Sequence, residues 1–195
     1  MKPAVFLDRD GTLNEEMGYI NHIGRFRLFP EAVEAVRLLN DAGLAAVVVS
    51  NQSGVARGYF PESLLSAVEG RLAAGLAAGG ARIDAFYYCP HHPQAALPEY
   101  RRSCECRKPK PGLLLRAAQE LGLDLGASWL IGDRLLDIET AHAAGARGIL
   151  VLTGYGRGEL EHLLPRAAER PDHVAENVLV AVEWLLKAEG RVAGP

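Results

Sequence analysis

Five short, mostly apolar runs alternate along the chain with helix-length segments, and this alternation limits the fold more than any other feature. The runs are Ala4 to Leu7, Ala45 to Val49, Ile83 to Tyr88, Trp129 to Ile131 and Gly148 to Leu152. A strand that is apolar on both sides must be covered on both faces, and a helix-length crossover between strands makes neighbours parallel. The expected class is therefore α/β, a doubly wound parallel sheet with helices on both faces. The crossovers read as helices from Pro30 to Gly43, with Val33, Val36, Leu38 and Leu39 inward, from Pro61 to the Gly79-Gly80 break, from Gly112 to Leu121 and from Leu135 to Ala144. Ala181 to Ala188 reads as a last helix packed on the outside. Residues 1–190 are expected to form a single domain and 191–195 a flexible end.

Charge narrows the partners. Lys and Arg number 21 against 24 Asp and Glu, which lacks the basic surplus of a protein that coats nucleic acid or anionic lipid. The longest mostly apolar stretches, Gly43 to Val49 and Leu72 to Ala78, fall far short of the ~20 residues that span a bilayer. Asp8-Arg9-Asp10 interrupts the apolar run a secretory leader would need. The expectation is a cytoplasmic, monomeric protein with a small-molecule partner, acting on neither nucleic acid nor membrane.

Asp8, Asp10 and Asp133 each lie just after a strand, and so does Ser50. In open α/β sheets the ligand crevice lies at the carboxyl ends of the strands, so these polar groups are expected to converge there. Asp8 and Asp10 are two apart in an extended segment and point the same way, where their charges repel unless a cation or a proton intervenes. Magnesium, a hard cation that keeps water and substrate phosphate in its shell, suits them. Any one such Asp is an ordinary turn or cap residue. Their joint occurrence with Lys108 in a Pro-rich loop, and with Gly132-Asp133 followed by Asp137, points to chemistry.

The cysteines, three in number, all fall between Cys89 and Cys106 in one polar loop, a poor disulfide framework. Cys-x-His, a gap of twelve residues and Cys-x-Cys would supply Cys89, a histidine, Cys104 and Cys106 as four ligands to tetrahedral zinc, a closed structural site. Spacing alone leaves His91 and His92 both open. Zinc would tie down the loop and position Arg107 and Lys108, which follow Cys106 directly.

Asp8-Arg9-Asp10-Gly11-Thr12, Ser50-Asn51, Lys108 and Gly132-Asp133 through Asp137 resemble the signature motifs of the haloacid dehalogenase superfamily, mostly phosphatases that pass through an aspartyl-phosphate. Gly18-Tyr19, Ser50 through Gly58, Tyr88 through Pro93 and Cys104 through Pro109 extend the resemblance to its branch of heptose bisphosphate and histidinol phosphate phosphatases. The resemblance implies a Rossmann-like fold of that superfamily and removal of the 7-phosphate of a heptose bisphosphate on the way to nucleotide-activated heptose for lipopolysaccharide or S-layer. Histidinol phosphate is the rival substrate, and a zinc-stabilised phospho-sugar binding module without turnover the rival class. By the same resemblance Asp8 is the nucleophile and Asp10 the acid and base. Asp8, the Asp10 carbonyl and Asp133 hold magnesium, Asp137 orients that shell, and Ser50 and Lys108 meet phosphate oxygens. It also favours His91 for zinc, leaving His92 as a surface residue or substrate contact. Arg9, Glu16, Met17, Gly18, Tyr19, Asn51, Gln52, Ser53, Arg107 and Arg134 are implied to contact the substrate or its phosphate, Arg134 standing where many relatives have lysine.

Only about twenty residues separate Asp10 from Pro30, and the span from Asn51 to Lys108 is filled by a helix, a strand and the cysteine loop, so no large cap domain is expected. A bisphosphate needs a second anionic anchor; Arg107 suits it because guanidinium binds phosphate in a fork, with Arg57 placed to assist.

Overall fold

A computed structural model of the chain describes residues 1–191. Strands β1 (Ala4–Leu7), β2 (Ala45–Asn51), β3 (Ala85–Cys89), β4 (Trp129–Gly132), β5 (Arg147–Val151) and β6 (His173–Ala175) form one six-stranded sheet in the order β3-β2-β1-β4-β5-β6. Every adjacent pair is parallel. The expected doubly wound sheet is the one found, with β6 as a strand the sequence reading missed. The chain order reverses direction at β1, whose neighbours are β2 on one side and β4 on the other, and a crevice opens there at the strands' carboxyl ends.

The helices are α1 (Pro30–Asp41), α2 (Ser53–Ala56), α3 (Ser63–Ala77), α4 (Gly112–Leu121), α5 (Leu135–Ala143), α6 (Gly156–Gly158) and α7 (Val178–Ala188). Pro30 begins α1, where its missing N–H costs nothing. Asn177 caps α7 by accepting from Val180 N at 3.0 Å, so this helix starts three residues before the expected Ala181. Its end is closed by Gly190 N on Lys187 O and Arg191 N on Leu186 O, while residues 192–195 of the expected flexible end lie outside the described ones.

Strand alternation sorts the core into two layers. Val5 and Leu7 of β1, Ala46 and Val48 of β2 and Ile131 of β4 face α1, α3 and α7 through Val36, Leu39, Leu72, Leu76, Val182 and Leu185. Phe6, Val47, Val49 and Leu130 face the other way, onto Leu113, Leu114 and Ala117 of α4 and Ala141 of α5. Each central strand is thus apolar on both faces because both faces are covered. Between β1 and α1 the chain forms only a short 3-10 turn at Ile23–Arg25, and between β3 and α4 only another at Pro98–Tyr100, so no cap domain is inserted. Among the described residues no helix is long and apolar enough to cross a membrane.

Leu185 is fully buried between α1 and the sheet. Leu185→Ala is expected to cost about 2–5 kcal/mol of stability, read from the urea midpoint. A loss below ~1 kcal/mol would show that α7 does not close this side of the core.

Candidate active site

The register sets the site. Leu7 pairs with Val48 and Ile131, so the residues that follow β1 and β4 and the last residues of β2 emerge together at one edge. Asp8 follows β1 directly, its N–H donating to Ile131 O at 2.9 Å, and Asp133 follows β4. Ser50 belongs to β2 itself, one residue inside its end, where the sequence reading had placed it just beyond.

Lys108 reaches this edge from the cysteine loop and is buried. Its Nζ donates to Asp8 Oδ1 at 2.7 Å and Val49 O at 3.1 Å, and lies 2.6 Å from Asp137 Oδ1 in an ion contact outside hydrogen-bond alignment. Asn51 holds the lysine in place: Asn51 Oδ1 accepts Lys108 N and Asn51 Nδ2 donates to Lys108 O, both at 3.1 Å. The side chain of Asn51 is thus committed to the lysine's backbone.

The acidic groups are held from behind. Asp137 Oδ2 accepts Arg134 N at 3.2 Å, and Asp133 Oδ2 accepts Tyr155 N at 2.8 Å. Gly11 and Gly154, both at positive φ, close around Asp133, and a Cβ on either would stand 2.2 Å or less from its Oδ2, so only glycine permits this approach. Asp10 is gripped by Arg9 Nη2 at 2.7 Å, Asn14 Nδ2 at 2.9 Å and Gln52 Nε2 at 2.9 Å, and that same amide reaches Ser50 Oγ at 2.8 Å.

Burial dominates the electrostatics. It raises the Asp8 carboxyl from an ordinary 3.8 to about 7, with Lys108 pulling down and Asp137 pushing up. Asp133 is raised to about 8 by burial, then by Asp8 and Asp137. Burial also works against the charge on Lys108, but Asp137 and Asp8 outweigh it and hold the ammonium above its usual range. For Asp10 burial is outweighed by the Arg9 guanidinium and by hydrogen bonds, which keep its carboxyl below the usual range.

Oxygens of Asp8, Asp133 and Asp137 lie within 4.8 Å of one another against a single buried ammonium, an excess of negative charge on hard donors that fits magnesium. Asp137 Oδ2 accepts a hydrogen bond and its Oδ1 is in ion contact with Lys108, whereas Oδ2 of Asp8 has neither among the described residues. That asymmetry fits Asp8 and Asp133 as ligands and Asp137 as their support.

A cavity of about 240 Å³ opens over these groups. Its wall includes Asp8, Asp10, Ser50, Lys108, Asp133 and Asp137, with Glu16, Gly18, Tyr19, Asn51, Gln52, Ser53, Arg107 and Arg134 around them, as expected. Arg9 and Met17 are not part of it. The Arg9 side chain is buried and spent on Asp10, and Met17 offers its carbonyl to Arg25 Nη2 at 3.0 Å. Arg57 also lies off the wall, its Nη2 3.4 Å from His92 Nε2. Tyr155 and Leu136 line the cavity unforeseen. Tyr155 follows β5 within Thr153-Gly154-Tyr155-Gly156, so the strand-end rule that found Asp8 and Asp133 applied equally to it.

Cys89, His91, Cys104 and Cys106 come together beside the cavity. Sulfur separations are 3.5 Å for Cys89 to Cys104, 3.2 Å for Cys89 to Cys106 and 3.3 Å for Cys104 to Cys106, too long for disulfides. His91 Nδ1 lies 3.4 Å from Cys106 Sγ and 3.7 Å from Cys89 Sγ. Zinc bonds of ~2.3 Å to sulfur would set sulfur pairs roughly 3.7 Å apart, close to this cluster. His92 faces Arg57 instead, so the geometry selects His91.

A family profile described as HAD-hydrolase-like matches residues 105–181. The chain is 45% identical over 188 residues to the D-glycero-D-manno-heptose-1,7-bisphosphate 7-phosphatase of Thermosynechococcus vestitus, covering 94% of this chain and 95% of that one. It is 45% identical over 153 residues to the D-glycero-beta-D-manno-heptose-1,7-bisphosphate 7-phosphatase of Escherichia coli, covering 78% of this chain and 80% of that one. The crystal structure of D,D-heptose 1,7-bisphosphate phosphatase from B. bronchiseptica, complexed with magnesium and phosphate, superposes with a TM-score of 0.84 at 32% identity, over 96% of this chain and 99% of that one.

The raised carboxyls give the metal-free protein a definite pH response. Because the folded values of Asp8 and Asp133, about 7 and about 8, exceed the ordinary 3.8, their contribution to stability is complete below ~4 and is lost as pH rises through 7 to 8. Magnesium binds the ionised forms and releases their protons. Its addition is therefore expected to raise Tm more at pH 8.5 than at pH 6, by scanning calorimetry. An equal or larger rise at pH 6 would contradict this.

Proposed function

Because the chain belongs to the D-glycero-D-manno-heptose 1,7-bisphosphate 7-phosphatase family of HAD-like hydrolases, we propose that it hydrolyses the 7-phosphate of that sugar bisphosphate, leaving heptose 1-phosphate and inorganic phosphate. The observation that carries the reading is Asp8: a carboxylate at the cavity floor, joined to a buried lysine by one oxygen, with Asp10 beside it and Asp133 behind. A protein that merely bound phospho-sugars would have no use for both a nucleophile and a proton carrier.

In the first step a carboxylate oxygen of Asp8 attacks phosphorus in line, the bond from phosphorus to the sugar oxygen breaks, and Asp10 gives the leaving alkoxide its proton. In the second, Asp10 takes a proton from water as the water oxygen attacks phosphorus, and the bond to Asp8 breaks. Arg9 holds Asp10 ionised before substrate arrives, the form the second step requires. An incoming phosphate dianion acts in the opposite sense, favouring the proton needed for the first. Ser50 and Lys108 meet the other phosphoryl oxygens. Asp8, the Asp10 carbonyl and Asp133 would hold magnesium, supported by Asp137, and the ion when bound would supply positive charge that offsets the negative charge of the phosphoryl group.

Arg107 anchors the far phosphate. It lines the cavity wall and its Nη1 donates to His91 O at 3.3 Å, so the guanidinium rests against the cysteine loop. Zinc held by Cys89, His91, Cys104 and Cys106 fixes that loop, and Arg107 and Lys108 follow the last ligand without a spacer. A cytoplasmic setting accords with thiols reserved for a metal instead of disulfides.

The test is phosphate release with magnesium from both anomers of the heptose bisphosphate, from histidinol phosphate and from an aryl phosphate. The bisphosphate is expected to be preferred; a preference for histidinol phosphate would overturn the substrate. Asp8→Asn should lower kcat by at least about 10³-fold and abolish acid-stable label trapped on the protein during turnover. Chelation that strips zinc is expected to lower both Tm and turnover, and an unchanged rate in the zinc-free protein would refute the positioning role of the loop.

A further inference from the structure

Arg134 lies at the cavity rim with its side chain 45% exposed, yet it is held on two sides. Its guanidinium carbon sits 4.9 Å from the centre of the Tyr155 ring, a cation–π contact. Its Nε donates at 3.3 Å to Oε1 of Glu159, a buried carboxylate that does not line the cavity. The other oxygen, Oε2, accepts Leu135 N at 3.0 Å, the first amide of α5 and one of the donors a helix start leaves unmatched. Glu159 therefore cannot swing, since both oxygens are occupied. It opens a wider π-type turn at Glu159–Leu163, a distortion often found at functional sites.

The grip falls on Nε alone. No acceptor among the described residues takes a hydrogen from the two Nη groups, and these form the outer edge of the planar fork. Resting on the functional reading above, we propose that Glu159 is a positioning residue: with Tyr155 it fixes Arg134 by the Nε side so that the Nη edge faces the anion of the bound phosphate ester. Arginine, not lysine, is required for this division of labour. A lysine has one ammonium, which would serve either Glu159 or the substrate.

The experiment compares the unsubstituted protein, Glu159→Gln, Arg134→Ala and the double variant with magnesium, reading kcat and KM for the heptose bisphosphate, Kd for inorganic phosphate by calorimetry, and Tm. Glutamine still offers an oxygen to Leu135 N, so Tm should hold while KM and the phosphate Kd rise about tenfold, with kcat less affected. In the Arg134→Ala background the same substitution should change neither constant. Effects of Glu159→Gln that persist undiminished without Arg134, or no effect of it on either constant, would overturn the proposal. If Glu159→Gln fails to fold, Tyr155→Leu replaces it, with a smaller rise that must likewise vanish in the Arg134→Ala background. An unsubstituted protein inactive on the bisphosphate would sink the functional reading, and the phosphate Kd pattern would still decide the role of Glu159.

Discussion

The ammonium of Lys108, shut between Asp8 and Asp137 with almost no exposure, is the contact on which the rest of the site depends. Taking a charged amine out of water is expensive, and removing one partner from such a pair typically costs about 3–5 kcal/mol because a buried charge is left alone. The lysine comes from a loop, Asp8 from the end of β1 and Asp137 from the first turn of α5, so the contact fixes the loop to both sheet and helix. Two carboxylates on one ammonium already leave one negative charge uncompensated, and Asp133 adds a third acidic group. The site is thus built to be completed by positive charge from outside, and the raised carboxyls of Asp8 and Asp133 express the same shortage.

Two donor sets of different character meet along one segment of chain. Oxygen donors at the strand ends suit magnesium, and three thiols with an imidazole suit zinc. Cys106 and Lys108 are two residues apart, so a displacement of the soft cluster passes through covalent geometry to the hard one. Asn51 adds a second restraint from β2, matching both polar groups of the lysine's backbone. Neither restraint touches the reacting atoms, and both decide where the ammonium stands.

Much of this was legible in the sequence because short apolar runs and strand-end carboxylates are local signals. Val5 to Leu7 and Ala45 to Val49 read as strands since every side chain in them is buried, on one face or the other. His173–Ala175 did not, being three residues long and only partly buried, and α2 at Ser53–Ala56 is a single turn without its own apolar period. At the site, residue types with one dominant use, Asp8, Lys108 and the cysteines, come together as the sequence reading expected. What the sequence did not show is that the side chains of Arg9 and Asn51 are already engaged, one by Asp10 and the other by the backbone of Lys108. Glu159 gave no signal, since its partner Arg134 lies 25 residues away and the pair meets only after the chain has turned through β5.

The order β2-β1-β4 in the middle of the sheet carries a consequence for how the molecule is made. On the ribosome, β1, β2 and β3 and the helices between them emerge first, while the open side of β1 waits for a strand more than a hundred residues downstream. Asp8 meets Asp133 and Asp137 only when that strand docks, so the nascent chain carries a half-built, acid-poor crevice until β4 and α5 have emerged. The repulsion that costs the finished protein stability is thereby kept out of the earliest stages of its folding.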